Sequence, residues 1–352
     1  MRTIFVKTAL LPFLVLLGFS VGSLAQGADS IAATGIFDLL ANEDAVPVTV
    51  KTNLSYLIEN KKTSDEYRKG EFSFEPSKGV TMSLPVKIKC RGRFRRMKCD
   101  FPPLKLKFKK DDLAAHGLNE FNELKLVTHC MDDKRASKDL ILREYLAYRL
   151  YNILTPNSFR AQMVQATYLN TKRKPKKIKG WGMLIEDSDE LAYRMGGEKF
   201  EQMGIPADQF DQSAEKIAAL FNFMIGNGDW DCLMARNVQF IKSPDSSIVV
   251  VPYDFDFSGL VNASYALPNR SAGEETVKDR VYLGQKCSVD SMQATFQYFI
   301  DKKELIMKEV GDMIMLSEAS KTEIKEYLEK FYEIIGDEEL AQEALFPKAD
   351  KK

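Results

Sequence analysis

The sequence has few of the signatures that identify an enzyme at a glance. It holds only two histidines, His116 and His129, which leaves a histidine-dependent hydrolase little to draw on. It has no G-x-x-x-x-G-K-[ST] loop to cradle a nucleotide and no H-E-x-x-H pair to hold zinc. The five cysteines (Cys90, Cys99, Cys130, Cys232 and Cys287) form no C-x-x-C pair, so their spacing does not read as a zinc site. Net charge is also missing: Lys+Arg and Asp+Glu are both 50, so no global field points to nucleic acid or to a membrane surface. There is no internal repeat and no long low-complexity linker. What remains is ordinary globular composition, 45% hydrophobic and 28% charged, over 352 residues, enough for a large core in two lobes.

No apolar run comfortably spans a bilayer. The longest, Ala9 to Gly22, follows the positive residues Arg2 and Lys7 and precedes the small-residue site Ser23-Leu24-Ala25. Residues 1–25 therefore read as a signal peptide cleaved before Gln26, with a retained anchor as the alternative. The protein is expected to be exported, periplasmic or extracellular, with no stable membrane span after cleavage. Gly18 to Gly22 matches G-x-S-x-G, but it lies within this segment and lacks the strand-turn-helix setting of a nucleophile elbow. Export permits disulfides. Cys90 and Cys99 flank one short loop and are the expected pair, which leaves at least one thiol unpaired.

Residues 26–45 read as a leader. Val46–Lys51, Glu71–Phe74 and Met82–Lys89 have β-branched or alternating character, Leu104–Phe108 (LKLKF) alternates strictly, and Leu124–Thr128 (LKLVT) repeats the pattern. Helical spacing over Leu140–Leu154 starts from a candidate N-cap, Ser137, and stops before Pro156. Two further strands, Met163–Leu169 and Gly182–Glu186, flank the basic turn Lys172–Lys177. Asp211–Ile225 reads as a buried helix, and Val289–Ala344 as two or more amphipathic ones. The expected layout is a β-rich lobe with one long helix over 46–180, then a hinge and helical lobe over 181–346, with the site in the cleft between them.

The chemistry concentrates in GNGDWDCLMARNVQFIKSPDSSIVVVPYDFDFSG, Gly226 to Gly259. A helix ends at Gly226, Asn237 opens one strand, and a second strand returns to Tyr253, so the hairpin brings Asp229, Asn237 and Asp254 together. Clustered carboxylate and amide oxygens are hard ligands suited to Mg²⁺ or Mn²⁺. Acid, asparagine, hairpin and Asp-Phe, in that order, follow the layout of a phosphotransfer site, in which the acid orients the acceptor hydroxyl and the asparagine and later Asp hold metal against the phosphates. Asp231 and Asp256 taken alone read as turn caps facing solvent, and within the set Asp256 is a further metal candidate. Lys105 and Lys107 are candidate phosphate anchors, Glu144 can face inward to pair with one of them, and Arg143 is its neighbour. The backbone of Gly182–Glu186 could receive adenine, with Glu186 at its end. The loop CRGRFRRMKC, with Arg91, Arg93, Arg95, Arg96 and Lys98, either covers phosphates or recognises an acidic acceptor, or is simply an exposed basic loop.

Five segments, KIKCRGRFRRMKCDFPPLKLKF, DDKRASKDLILREYLAYRL, GWGMLIED, GNGDWD...RN and PYDFDFSG, occur in an order that resembles the CotH-like secreted protein kinases. The resemblance runs from about Val86 to Gly259. It implies an α+β, two-lobed protein-kinase-like fold with a β-rich N-terminal lobe and a mainly helical C-terminal lobe. It also implies ATP as phosphate donor, Mg²⁺ or Mn²⁺ as cofactor, and a protein acceptor outside the cytoplasm. By the same resemblance Asp229 is the catalytic aspartate, Asn237 and Asp254 bind metal, and Lys107 and Glu144 form the phosphate-anchoring pair. Two features depart from the family: the wider gap from Asp229 to Asn237, which makes Asp231 a rival for the catalytic role, and the basic Arg93-Phe94-Arg95 turn. A pseudokinase-like binding module of the cell envelope and a metal-dependent phosphohydrolase are the alternative functions.

Overall fold

Alternating apolar residues build seven strands whose inner faces meet in one core. The computed structural model describes residues 34–347 except 132 and 173–176, all within the unit Ala32–Lys352. The signal segment and most of the Lys172–Lys177 turn therefore lie outside the described residues. In chain order the elements are α1 (Ile36–Leu40), β1 (Val46–Thr52), α2 (Leu54–Glu59), β2 (Arg68–Ser77), β3 (Val80–Cys90), α3 (Phe94–Lys98), β4 (Leu104–Phe108), α4 (Lys110–Ala114), β5 (Glu123–Val127) and α5 (Lys134–Leu154). They continue with β6 (Ala161–Asn170), β7 (Ile178–Ile185), α6 (Ser188–Arg194), β8 (Glu198–Phe200), α7 (Gln212–Ile225), β9 (Val238–Lys242), β10 (Ile248–Pro252), α8 (Val289–Asp312), α9 (Glu318–Ile335) and α10 (Glu338–Leu345).

Strands β1-β2-β3-β4-β5-β7-β6 close into a barrel. Six of its seams are antiparallel, and the seventh is the parallel pairing of β1 with β6, which sets Val46 opposite Val164. Val48 and Val50, Phe72 and Phe74, Leu84 and Ile88, Leu104 and Leu106, and Leu124 and Leu126 fill the interior. Ile36, Phe37 and Leu40 of α1 join this core from the stretch that reads as a leader.

This closed, mixed barrel overturns the two-lobed protein-kinase-like fold expected above, because the strands leave no open β-lobe and α5, α7, α8 and α9 gather around a second core outside the barrel. The physical reason is the β1–β6 seam. Alternation reveals which side of a strand is buried, but not which distant strand will join it in parallel.

Outside the barrel, Met163, Met183 and Ile185 pack against α5 and the helices α7, α8 and α9 in a second core. A small sheet, β10-β9-β8, holds Trp230, Phe240 and Val250 in a third. The expected strands and helices are present with small shifts in their ends. The cap of α5 is Asp133, whose carboxylate accepts from the Arg135 and Ala136 N–H groups. Ser137, the expected cap, is buried inside the helix and donates to the Met131 carbonyl. The cysteine pairing is also corrected: Cys99 is bonded to Cys130, and Cys90 is a free, buried thiol that donates to the Leu57 carbonyl. Cys90 is the last residue of β3 and faces the barrel core, which turns it away from Cys99.

Candidate active site

The hairpin of β9 and β10 is anchored at its mouth by a chain of buried amides. Helix α7 stops at Gly226, whose left-handed backbone (φ 61°) suits a residue without a Cβ. Asn227 then donates to the Asn222 side chain and accepts from the Asp229 N–H, which fixes the turn that presents Asp229. The Asn237 side-chain amide donates to the Asp229 carbonyl at 2.6 Å and to its carboxylate at 3.0 Å. Across the hairpin, the Tyr253 N–H donates to the Asn237 carbonyl at 3.0 Å. Asp254 follows, its N–H donating to the Tyr148 hydroxyl at 2.9 Å. Asn237 (φ 52°) and Asp254 (φ 65°) both adopt left-handed backbone, a conformation that Asn and Asp tolerate better than most residues and that clusters at functional sites. The structure thus brings Asp229, Asn237 and Asp254 together.

Behind this mouth lies an acidic group of three, the buried Glu144 and Asp256 and the partly exposed Asp254, each with a carboxylate oxygen within 4.8 Å of the others. The guanidinium of Arg95 reaches all three: Glu144 at 2.8 Å, Asp254 at 3.1 Å and Asp256 at 2.7 Å. The Glu144 and Asp256 side chains are almost fully enclosed, at 3% and 6% exposure, whereas that of Asp254 is 31% exposed. One positive charge therefore faces up to three negative ones. Burial pushes the Glu144 carboxyl up to about 7 against the pull of Arg95, and burial likewise raises Asp256, which also hydrogen-bonds Tyr265. Arg95 itself is held protonated by Asp256 and Glu144, which outweigh its loss of hydration. The cluster keeps a surplus of negative charge, and hard oxygen donors with such a surplus suit a divalent cation. Asp254, on the solvent side and at the longest of the three Arg95 contacts, and the side-chain amide oxygen of Asn237 offer ligands of that kind, while Glu144 and Asp256 are held more closely by Arg95.

Arg95 is placed by α3, the short helix within the loop Cys90–Cys99. Phe94 packs edge-on against Phe257 at 5.0 Å, and Cys99 ties the other end of α3 to Cys130, four residues before α5 begins. The sequence offers five cations in this loop and no means of telling which is buried. Arg93, by contrast, is exposed at the start of α3.

A residue that sequence reasoning misses altogether is Lys125 on β5. Its ammonium sits over the rings of Phe159 (4.5 Å) and Tyr253 (4.9 Å) and donates to the Ser188 hydroxyl at 3.0 Å. Burial, helped by the nearby charge of Arg91, pushes its pKa down to about 7, with Asp187 and Asp254 acting the other way. The cue for Lys125 is its position: LKLVT is the strand that pairs with β7 and precedes α5. The Lys107–Glu144 pair implied by the resemblance is not formed. Lys105 and Lys107 share Glu123 on the outer face of the barrel, because β4 is one strand further from β7 than β5 is. Glu186 is fully enclosed and paired with Arg160 and Arg194. Arg143 bonds Asp139 and Glu323, tying α5 to α9. Asp231 closes a local turn by accepting from the Met234 N–H. Asp229 is half-buried, with its carboxyl raised by burial, opposed by Arg236 and reinforced by Asp256 and Asp254.

Chemically, the arrangement offers a carboxyl with a raised pKa beside a hairpin, an oxygen cluster with unspent negative charge, and a half-buried ammonium within electrostatic reach of both Asp254 and Asp187. No protein-family model and no curated protein matches the chain. Among solved structures it is similar to the crystal structure of a Helicobacter pylori proinflammatory kinase, CtkA, at 9% identity and a TM-score of 0.34, covering 80% of this chain and 94% of that one. A superposition at that score fixes neither fold nor function, and the chemistry rests on the side chains.

Proposed function

We propose that the protein transfers the terminal phosphoryl group of ATP to a hydroxyl of a protein acceptor outside the cytoplasm, using Mg²⁺ or Mn²⁺. The observation that carries this reading is the convergence of Asp229, Asn237 and Asp254 beside an acidic cluster that Arg95 leaves underneutralised. A cation on Asp254 and Asn237 would neutralise phosphate charge and hold the phosphates in line. Lys125 supplies the complementary charge from the barrel side. Its depressed pKa means that an incoming polyphosphate restores its proton rather than merely pairing with a preformed ion. Asp229 accepts the hydroxyl proton as the acceptor oxygen bonds to the γ-phosphorus and the bond to the bridging oxygen breaks, releasing ADP. Arg95 touches no reacting atom; it positions Asp254 and Glu144.

The segments that resemble the CotH-like kinases support the same chemistry, though on a barrel scaffold. Export rests on residues 1–25; among the described residues no helix is long and apolar enough to cross a membrane. A non-catalytic binding module is the second reading, favoured by one observation: the Arg95 guanidinium contacts all three acids, Asp254 included, and so occupies the middle of the cluster itself.

Calorimetry with ATP and Mn²⁺, followed by a labelled-phosphate assay, tests the proposal. Lys125→Met and Asp254→Ala should each lose ATP affinity by roughly tenfold or more, whereas Asp229→Ala should bind but not transfer, and Asp231→Ala should retain both. At pH 8 binding should take up a proton in the wild type and not in Lys125→Met, read from buffers of different ionisation enthalpy. Wild-type protein that binds no nucleotide with either metal would leave the binding module in its place.

A further inference from the structure

A second feature lies away from the acidic cluster, on the outer side of the barrel where β6 and β7 meet the first turns of α5. A groove of about 630 Å³ is lined there by Lys134, Arg135, Lys138, Lys179, Trp181 and Gln165. No described acidic residue lines it, and among the described residues none of the four cations is in an ion pair. Asp133 and Asp139 line the neighbouring groove, which shares Arg135 and Lys138 with this one. Lys134 and Lys138 are four residues apart on one helix and repel, and both sit at the positively polarised end of α5. The strands set the other wall: Gln165 is opposite Trp181 in the β6–β7 register, and Lys179 lies two residues earlier on the same face. Lys138 closes the corner with its ammonium 4.7 Å from the Trp181 ring.

We infer that this groove docks an acidic segment of a partner protein, its carboxylates meeting Lys134, Arg135, Lys138 and Lys179 and its chain lying against Trp181. Charge complementarity selects an anion, and two details select its kind. Three of the four cations are lysines, point charges that suit carboxylates spaced along a chain better than a single phosphate gripped by an arginine fork. Both neighbouring strands are paired on each side within the closed barrel, so a partner cannot add a strand and must be read through its side chains. The inference does not depend on phosphotransfer.

Fluorescence anisotropy of the whole protein with a fluorescein-labelled decaglutamate peptide, at low and at high salt, tests it. The peptide should bind at low salt, and Lys138→Glu with Lys179→Glu should weaken binding at least roughly tenfold. Trp181→Ala should weaken it several-fold, about as expected for loss of an aromatic contact. The charge-matched pair Lys69→Glu with Lys87→Glu, exposed opposite one another on β2 and β3, should leave it within about twofold. Lys138→Gln with Lys179→Gln serves if the reversed pair fails to fold. Equal losses in the groove and control pairs would overturn the inference. So would tighter binding of a sulfated polysaccharide or of anionic vesicles than of the peptide.

Discussion

Replacing Arg95 by methionine removes the guanidinium that touches all three clustered carboxylates and keeps most of the side-chain volume. The three ion pairs it breaks span 2.8, 3.1 and 2.7 Å, and two of them are to groups almost fully enclosed. Breaking a buried pair by deleting one partner costs about 3–5 kcal/mol, because the other charge stays behind without compensation. In domains of 150–250 residues each kcal/mol moves the melting temperature about 2–4 °C, and less in a longer chain, so a drop on the order of 5–10 °C is expected. The loss should depend on pH in a definite direction. Glu144 already titrates near 7 when folded, above its ordinary 4.5, and without the guanidinium it and Asp256 rise further. Groups that hold protons more tightly in the folded state contribute stability that is lost as pH rises through their folded pKa. The variant should therefore be closest to wild type near pH 5 and furthest from it near pH 8. Differential scanning calorimetry at both pH values, with and without Mn²⁺, measures this, and Mn²⁺ should recover part of the loss. A melting temperature within a degree or two of wild type, or a deficit equal at the two pH values, would refute the assignment of Arg95 as the cluster's counter-charge.

Two further outcomes follow from groups outside the cluster. Cys130→Ser opens a disulfide whose partners are 31 residues apart, which should cost about 3–4 kcal/mol in denaturant unfolding; non-reducing peptide mapping that recovered a Cys90–Cys99 link instead would contradict the pairing. Burial pushes Glu190 up to about 7 from 4.5 despite Arg160, so wild-type stability should fall as pH rises between those values. Glu190→Gln should flatten that fall, by at most about 3 kcal/mol between pH 5 and pH 8 in urea titrations, and an unchanged slope would show the group is not so shifted.

The hairpin part of the site was legible because it is local: the turn at Pro244–Ser247 fixes which residues of β9 and β10 face one another, and so carries Asn237 to Tyr253. Strand alternation in LKLKF likewise identifies Leu104, Leu106 and Phe108 as core. What the pattern does not encode is long-range partnership. Arg95 and Asp256 are 161 residues apart, and five similar cations crowd the loop that holds Arg95. Lys107 and Lys125 look alike on alternating strands, and only the barrel order, with β5 against β7, separates the lysine that faces the site from the one that bonds Glu123. The same limitation hides the disulfide: Cys90 and Cys99 are close in sequence, yet Cys90 points into the barrel and Cys99 is bonded to Cys130.

The parallel seam between Val46 and Val164 also sets a schedule for how the chain acquires its shape. Strands β1 to β5 can pair with one another in sequence order, each with its predecessor, as soon as they exist. The cylinder cannot shut until β6 and β7 arrive, with α5 already between them and the rest. Until then β1 and β5 are open rims, and contacts across such long separations form slowly. The vulnerable interval lies before β6 docks, when a half-built sheet with two bare rims is exposed to other chains. Agents that shield strand rims would act on yield in that interval without altering the finished protein.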